Sequence, residues 1–258
     1  MECKIVNIIN SLPGKNYEGE DLWIETSESL SNQSELEYLV FTDSKGKRTE
    51  EKGESCFISL LTDYLKKHNI SYLVIGRPKE LTTFFTLINF LNSCDYHFKN
   101  LITNVGFVDF TPKKKEVILD HLLQKPAIKH SDEIKLIKLS KFKLSTGGYE
   151  HLYSIDMSNK MKKEIAQALK KHFKQTFLIP TFEIEPNQIT NGRIRPSEFF
   201  VHLKKTNQFL SELSETDNIN LMEIKENSVS EHNPITFDGV HLMQPGHLLI
   251  FKTITHNI

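Results

Sequence analysis

In the stretch FDGVHLMQPGH, residues 237–247, Asp238 and His241 stand three positions apart. This spacing places a carboxylate and an imidazole on the same side of a single turn, where Asp238 can orient the ring and stabilise its protonated form. A histidine held in this way works as a general base near neutral pH. What it lacks is a nucleophile. Ser11, in IINSLPG directly after the first apolar run, is the candidate, because its hydroxyl becomes nucleophilic once His241 takes its proton. Taken alone, each half has a plainer reading. DGVH reads equally as a polar turn before the last helix, and Ser11 as a helix cap or turn hydroxyl.

The elements around these residues decide whether the two halves can meet. The run KIVNII at 4–9 is β-branched and ends in Asn-Ser-Leu-Pro-Gly, the pattern of a buried strand entering a loop, with Ser11 at its carboxyl end. Between 18 and 53 the chain is polar and acidic, broken only by YLVF at 38–41 and the turn-like DSKGK, and it reads as an excursion holding at most a small hairpin. Helix and strand then alternate. SCFISLLTDYLKK is a helix with lysines in its last turn, SYLVIG a strand, TTFFTLINFLNSC a helix, and NLITNVGFVDF a strand running into Gly106 and Asp109. EVILDHLLQ is helical, and residues 125–156 fit no pattern well. Met161, Ile165, Leu169 and Phe173 form one apolar stripe of an amphipathic helix, followed by the strand TFLIP, a Pro/Asn/Gly-rich loop at 180–197, the helix SEFFVHLKKTNQFLSELSE and the strand NINLMEI.

Strands separated by helices need crossover connections, which predicts an α/β fold: a three-layer α/β/α arrangement around a mostly parallel sheet of about five strands. Ligands of such sheets sit beyond the carboxyl ends of the strands. Ser11, Gly76, Gly106, Asp109 and Pro180 all fall at or just after expected strand ends, so one cleft can gather them. The 258 residues suit a single domain, and the 38% hydrophobic content is ordinary for a globular chain. With 32 Lys and Arg against 33 Asp and Glu, global charge gives no reason to expect nucleic acid as partner. No apolar run approaches a membrane span, and the N-terminus lacks the pattern of a signal peptide, so the expectation is a cytoplasmic protein. Cys3, Cys56 and Cys94 are isolated, which argues against a disulfide framework or a zinc site.

These blocks, spread from position 4 to about 251, carry a resemblance. A serine after the first strand, a glycine after the second, Gly-x-x-Asp after the third and a terminal Asp-x-x-His followed by a glycine resemble the SGNH (GDSL-type) hydrolase family. IINSL stands where that family has Gly-Asp-Ser-Leu. LVIGRPKELT is similar to its glycine block, and NVGFVDFTPKK is similar to a variant of its third block associated with bacterial surface-polysaccharide loci. The resemblance implies a flavodoxin-like fold and hydrolysis of esters, commonly acyl groups on carbohydrates or lipids, without a cofactor. It implies Ser11 as nucleophile, His241 as base, Asp238 as its orienting partner, and the amides of Ser11 and Gly76 as oxyanion donors. At two positions the chain departs from the family: Asn10 precedes Ser11 in place of aspartate, and Val108 replaces the asparagine that donates its side-chain amide to the oxyanion. Asn104 is a nearby substitute donor.

For Gly106 and Asp109 the expected role is structural, with Asp109 accepting backbone N–H bonds to hold the loop. Arg193 and Arg195, in the long loop after TFLIP, are candidate clamps for a carboxylate or phosphate, or simply a solvated helix entry. Lys113, Lys114 and Lys115 read as a solvated helix start. Between 135 and 174 ten lysines face only Glu150, Asp156 and Glu164, a local surplus able to attract an acidic polysaccharide or a phosphorylated head group. No histidine pair has metal-ligand spacing, so no metal is expected. Beside the esterase stand two rivals: a degenerate relative that binds a glycan without cleaving it, and an O-acyltransferase using a sugar hydroxyl as acceptor.

Overall fold

A computed structural model describes residues 16–18, 22–27, 35–44, 56–77, 81–124, 134–143, 147–156, 158–184, 197–224, 235–236 and 240–258. Its strands are β1 (Asn16–Glu18), β2 (Trp23–Thr26), β3 (Glu35–Thr42), β4 (Tyr72–Gly76), β5 (His97–Thr103), β6 (Lys135–Lys143), β7 (Tyr149–Asp156), β8 (Gln175–Leu178) and β9 (Ile219–Leu221). The helices are α1 (Phe57–Lys67), α2 (Phe84–Ser93), α3 (Phe107–Phe110), α4 (Lys115–Gln124), α5 (Asn159–His172), α6 (Ser197–Ser214) and α7 (Gln244–Asn257). Among the described residues, five strands run parallel in the spatial order β4-β3-β5-β8-β9, and β2 and then β1 extend the β4 edge antiparallel. Ranked by their place in the chain, the parallel strands read 2-1-3-4-5, the flavodoxin-like order.

Side chains alternate between the two faces of the sheet, and each face has its own core. Leu39, Phe41, Leu73, Ile75 and Leu101 point one way and pack with α2, α5 and α6, through Phe84, Leu87, Ile165, Leu169 and Leu210. Tyr38, Val40, Tyr72, Val74 and Ile102 point the other way, onto Leu61 and Leu65 of α1 and Ile250 and Ile254 of α7. The result is a three-layer α/β/α fold, with near-continuous apolar strands because both faces are covered. Local chemistry starts the helices. Cys56 caps α1, accepting from the amide of Ser59, with Lys66 and Lys67 in the last turn; Thr83 and Thr86 form a reciprocal capping box on α2; Ser158 caps α5.

Two differences from the sequence reading matter. The segment 18–53, expected to be an excursion, contains β3, which pairs with both β4 and β5 and is first in the parallel order. Its YLVF core was too short to distinguish from a hairpin strand, and only its pairing on both edges reveals its place. Within 125–156, which fits no sequence pattern well, β6 and β7 pair antiparallel as a two-stranded hairpin separate from the main sheet. Lys138 and Lys141 are three residues apart, a spacing that puts side chains on opposite faces of a regular strand, and the bulge between Lys138 and Ser140 brings the two to one face.

A central strand and an excursion respond differently to truncation. Leu39 is fully buried in β3, so Leu39→Ala is expected to lower unfolding free energy by about 2–5 kcal/mol, read from the urea midpoint; a loss below about 1 kcal/mol, as for a surface site, contradicts the central placement.

Candidate active site

The carboxyl ends of β3, β4, β5 and β8 meet along one edge of the sheet, knitted together by hydrogen bonds. The amide of Arg77 donates to Thr42 O at 3.0 Å, Thr103 Oγ1 donates to Phe41 O at 2.7 Å, and the amide of Ile179 donates to Thr103 O at 2.8 Å. Directly beyond β3 come Asp43, buried, and Ser44, half-buried. Asn104, the first residue after β5, exchanges two hydrogen bonds with Asp43: its Oδ1 accepts from the Asp43 amide at 2.9 Å, and its Nδ2 donates to Asp43 Oδ1 at 2.8 Å. The Asn104 side chain therefore fixes the residue before Ser44. Gly76 ends β4 between its register partners Trp23 and Thr42.

The third block forms a tight turn into α3. Gly106 has φ of 133°, open to glycine alone, and an added Cβ would lie 3.2 Å from Leu210 and 3.3 Å from Phe84. Both oxygens of the fully buried Asp109 accept from the amide of Phe84 at 3.3 Å, which serves an otherwise orphan donor in the first turn of α2. Burial pushes the Asp109 carboxyl up; the Phe84 bond and the nearby Lys113 ammonium oppose the rise. Val108 is half-buried on the same turn. Lys113 corrects the expectation of a solvated helix start: its ammonium turns inward to the carbonyls of Val108 and Thr111, and burial lowers its pKa against the pull of Asp109.

The terminal helix reaches this edge by way of a residue that the motif reading passed over. His247 Nδ1 accepts from the amide of Phe57 at 3.2 Å, and the two rings stack at 6.0 Å. Because Phe57 begins the helix that follows β3, its amide stands at the carboxyl side of the sheet, and the start of α7 is held there with it. His241, half-buried, precedes His247 by six residues. Backbone pairing closes the loop that carries it: Thr236 bridges Leu242, and the amide of Met243 donates to Ile235 O at 2.8 Å. Gly246 permits the close approach, since a Cβ there would stand 2.5 Å from Ile235 O.

Ser11 and the run 4–9, Asp238, Arg193 and Arg195 lie outside the described residues. Among the expected site residues inside them, Gly76, Asn104, Gly106 and Asp109 gather at the carboxyl edge, and His241 belongs to a loop tethered to it. The sequence reading did not single out Asp43-Ser44, which follow directly after the β-branched and aromatic run of β3. Among the described residues no group of three or more His, Cys, Asp or Glu could hold a metal ion, and no helix is long and apolar enough to cross a membrane.

No family model matches the chain, and no curated protein matches it. Solved structures similar to it include Axe2, an acetylxylan esterase from Geobacillus stearothermophilus, at 13% identity and TM-score 0.49, covering 86% of this chain and 93% of that one. Another is LAE5, an α/β hydrolase enzyme from the metagenome of Lake Arreo, Spain, at 12% identity and TM-score 0.49, covering 86% and 94%. Likeness of this degree leaves the chemistry to be argued from the chain's own residues.

Two buried histidines give the fold a pH dependence. Burial holds His247 neutral and lowers its pKa to about 4, and it does the same to His202 on α6, where Lys205 and Lys113 add to the effect; among the described residues neither ring nitrogen of His202 has a hydrogen-bond partner. Below about pH 6.5 the unfolded chain takes up protons that the folded chain refuses, so stability is full above that value and falls as pH drops toward 4. At roughly 1.4 kcal/mol per unit and per histidine, the two histidines take roughly 2–4 kcal/mol from the urea unfolding free energy between pH 7 and pH 5, and the raised carboxyl of Asp109 works against that loss. His247→Asn, which keeps an acceptor for Phe57, should remove about half of that slope; an unchanged slope would rule His247 out as a source.

Proposed function

We propose that the chain is a serine-dependent acyl-ester hydrolase of the SGNH type, with Ser44 as nucleophile, His241 as general base and Asp238 as the group that orients it. The observation that supports this reading is the place of Asp43-Ser44. In the 2-1-3-4-5 order, β3 is the first parallel strand among the described residues, and the serine that follows it is Ser44. Asp43 also supplies the aspartate before the serine that Asn10-Ser11 lacks. Ser11 remains the rival nucleophile from the motif reading.

The chemistry follows from these roles. His241 takes the Ser44 Oγ proton as the oxygen attacks the ester carbonyl, and the tetrahedral oxyanion accepts from the backbone amides of Ser44 and Gly76. Collapse expels the alcohol, which receives the proton from His241. Water, activated by the same imidazole, then releases the acid and regenerates Ser44. Asn104 already gives its amide to Asp43, so its part is to position the residue before the nucleophile. Val108 offers no donor where the family has asparagine. A substrate with an acyl group on a carbohydrate is the class implied by the family resemblance.

One observation favours a second reading, binding without cleavage: the side-chain oxyanion donor is missing at Val108. Turnover of p-nitrophenyl acetate and labelling by a serine-directed fluorophosphonate decide between the two. Wild type should turn over and label, Ser44→Ala and His241→Ala should each lose at least about 1,000-fold in kcat/KM, and Ser11→Ala should match wild type. A silent wild type supports the binding reading, and loss on Ser11→Ala with Ser44→Ala unaffected returns the nucleophile to Ser11.

The hole itself makes a separate prediction. One oxyanion donor is worth about 100- to 1,000-fold in kcat, so Val108→Asn should raise kcat by at least about tenfold, allowing for imperfect geometry, with little change in KM. A fall in kcat, or an effect on KM alone, would count against Val108 facing the reacting carbonyl.

A further inference from the structure

The β6–β7 hairpin is inserted between α4 and α5, and its root is fixed to the turn that carries Asp109: Lys113 and Tyr153 exchange amide-to-carbonyl bonds at 2.8 Å in both directions. One face begins inside the core, where Ile155 is buried opposite Leu136, and changes character outward. Lys138 stands opposite Tyr153, Lys141 opposite His151 and, in backbone register, Lys143 opposite Tyr149. The bulge between Lys138 and Ser140 is what lets lysines three apart share this face. Lys141 Nζ lies 6.0 Å from the centre of the Tyr149 ring, and Tyr149 is 66% exposed, the most exposed large side chain among the described apolar and aromatic residues. The first two rungs thus each set a lysine against a ring, about 7 Å apart.

At the foot of the hairpin, against α5 and α6, is a cavity of about 170 Å³, on the scale of one sugar ring. Ser154, Asp156, Lys162, Gln208 and Glu212 supply polar groups of both signs over a floor that includes Phe209. Glu212 is already engaged, by Lys162 at 2.5 Å and by Gln208 at 3.0 Å, which leaves a preorganised rim. Ile137, Ser154 and Asp156 belong to the hairpin face opposite that of Lys138 and Tyr153, so the cavity is separate from the lysine face, whose two exposed ammonium groups suit a short anionic chain. A nucleic acid needs several phosphate contacts for affinity, and the chain's net charge of -1 offers no wider field to supply them.

We propose that the β6–β7 hairpin is a recognition arm for an anionic oligosaccharide, its acidic groups paired with Lys138 and Lys141 and a ring face laid on Tyr149. This deepens the ester-hydrolase reading by naming the charge class of the substrate, and it rests on that reading for the link to catalysis. Ordinary recognition physics suffices: lysine stems lie along apolar rings while their ammonium groups meet acidic groups, and an exposed ring offers area at low conformational cost.

The test measures binding of fluorescent oligogalacturonate to the full chain, beside a neutral xylo-oligosaccharide and a single-stranded DNA of equal charge. Oligogalacturonate should bind at least about tenfold tighter than the neutral sugar and weaken as salt rises. Lys138→Glu with Lys141→Glu should weaken it at least about tenfold, and Tyr149→Ala by about threefold or more. Lys171→Glu with Lys174→Glu, the same charge change elsewhere, should leave affinity unaltered. Equal affinity for neutral and anionic sugars, tighter binding of the DNA, or an equal loss in the Lys171/Lys174 variant each overturns the proposal. Turnover of p-nitrophenyl acetate, read on the same samples, should be the same in all hairpin variants. If wild type binds selectively but never turns over, the hydrolase reading falls and the arm stands; if it turns over without selective binding, the reverse holds.

Discussion

The paired hydrogen bonds between Asp43 and Asn104 set the geometry of the carboxyl edge. They join residues at the ends of neighbouring strands, β3 and β5, 61 positions apart, and they are buried. A buried carboxylate and a buried amide are each costly unless bonded, and here each satisfies the other. Because β3 lies between β4 and β5, fixing its end fixes the origin from which Ser44, Gly76 and the Gly106 turn are measured. Asp109 extends the lattice by holding the first turn of α2, and Lys113 closes α3 from below. Hydrogen bonds between elements thus tie β3, β5, α2 and α3 together at this edge.

A second constraint brings the far end of the chain to the same place. His247 and Phe57 are 190 residues apart, yet a ring nitrogen accepts the amide at the head of α1. The contact exists only while the ring stays neutral, which its burial enforces. Gly246 allows α7 to approach Ile235 O closely enough to form it. Positioning of His241 therefore depends on packing between α1 and α7, on the sheet face opposite that of α2, α5 and α6. The proposed base and the clamp on the proposed nucleophile are thus stabilised by different cores.

On the proposed reading, the hairpin separates binding from chemistry. Its inner rung is part of the main core, its root is bonded to Lys113, and its outer rungs are free of packing demands. Charge at those rungs costs the fold little, since ammonium groups there remain solvated.

Much of the fold was legible in the sequence. Alternation of strands and helices, the apolar stripe of α5 and the capping residues of the helices act through local periodicity and short-range bonds, so the order of layers followed without tertiary information. Gly106 and Asp109 could be picked out for the same reason, as parts of a turn after a strand. The central place of YLVF could not be read, because a short apolar run looks the same in a hairpin as in mid-sheet until pairing on both edges reveals it. That one difference moves the favoured serine from Ser11 to Ser44. The direction of the Asn104 amide, the inward turn of Lys113, the clamp of His247 and the shared face of Lys138 and Lys141 are likewise set by partners tens to hundreds of residues away or by a bulge that breaks the period. Sequence by itself determined the elements, since those are governed by neighbours along the chain. Tertiary structure decided which residues meet at the edge, since burial and hydrogen-bond satisfaction are properties of the packed whole.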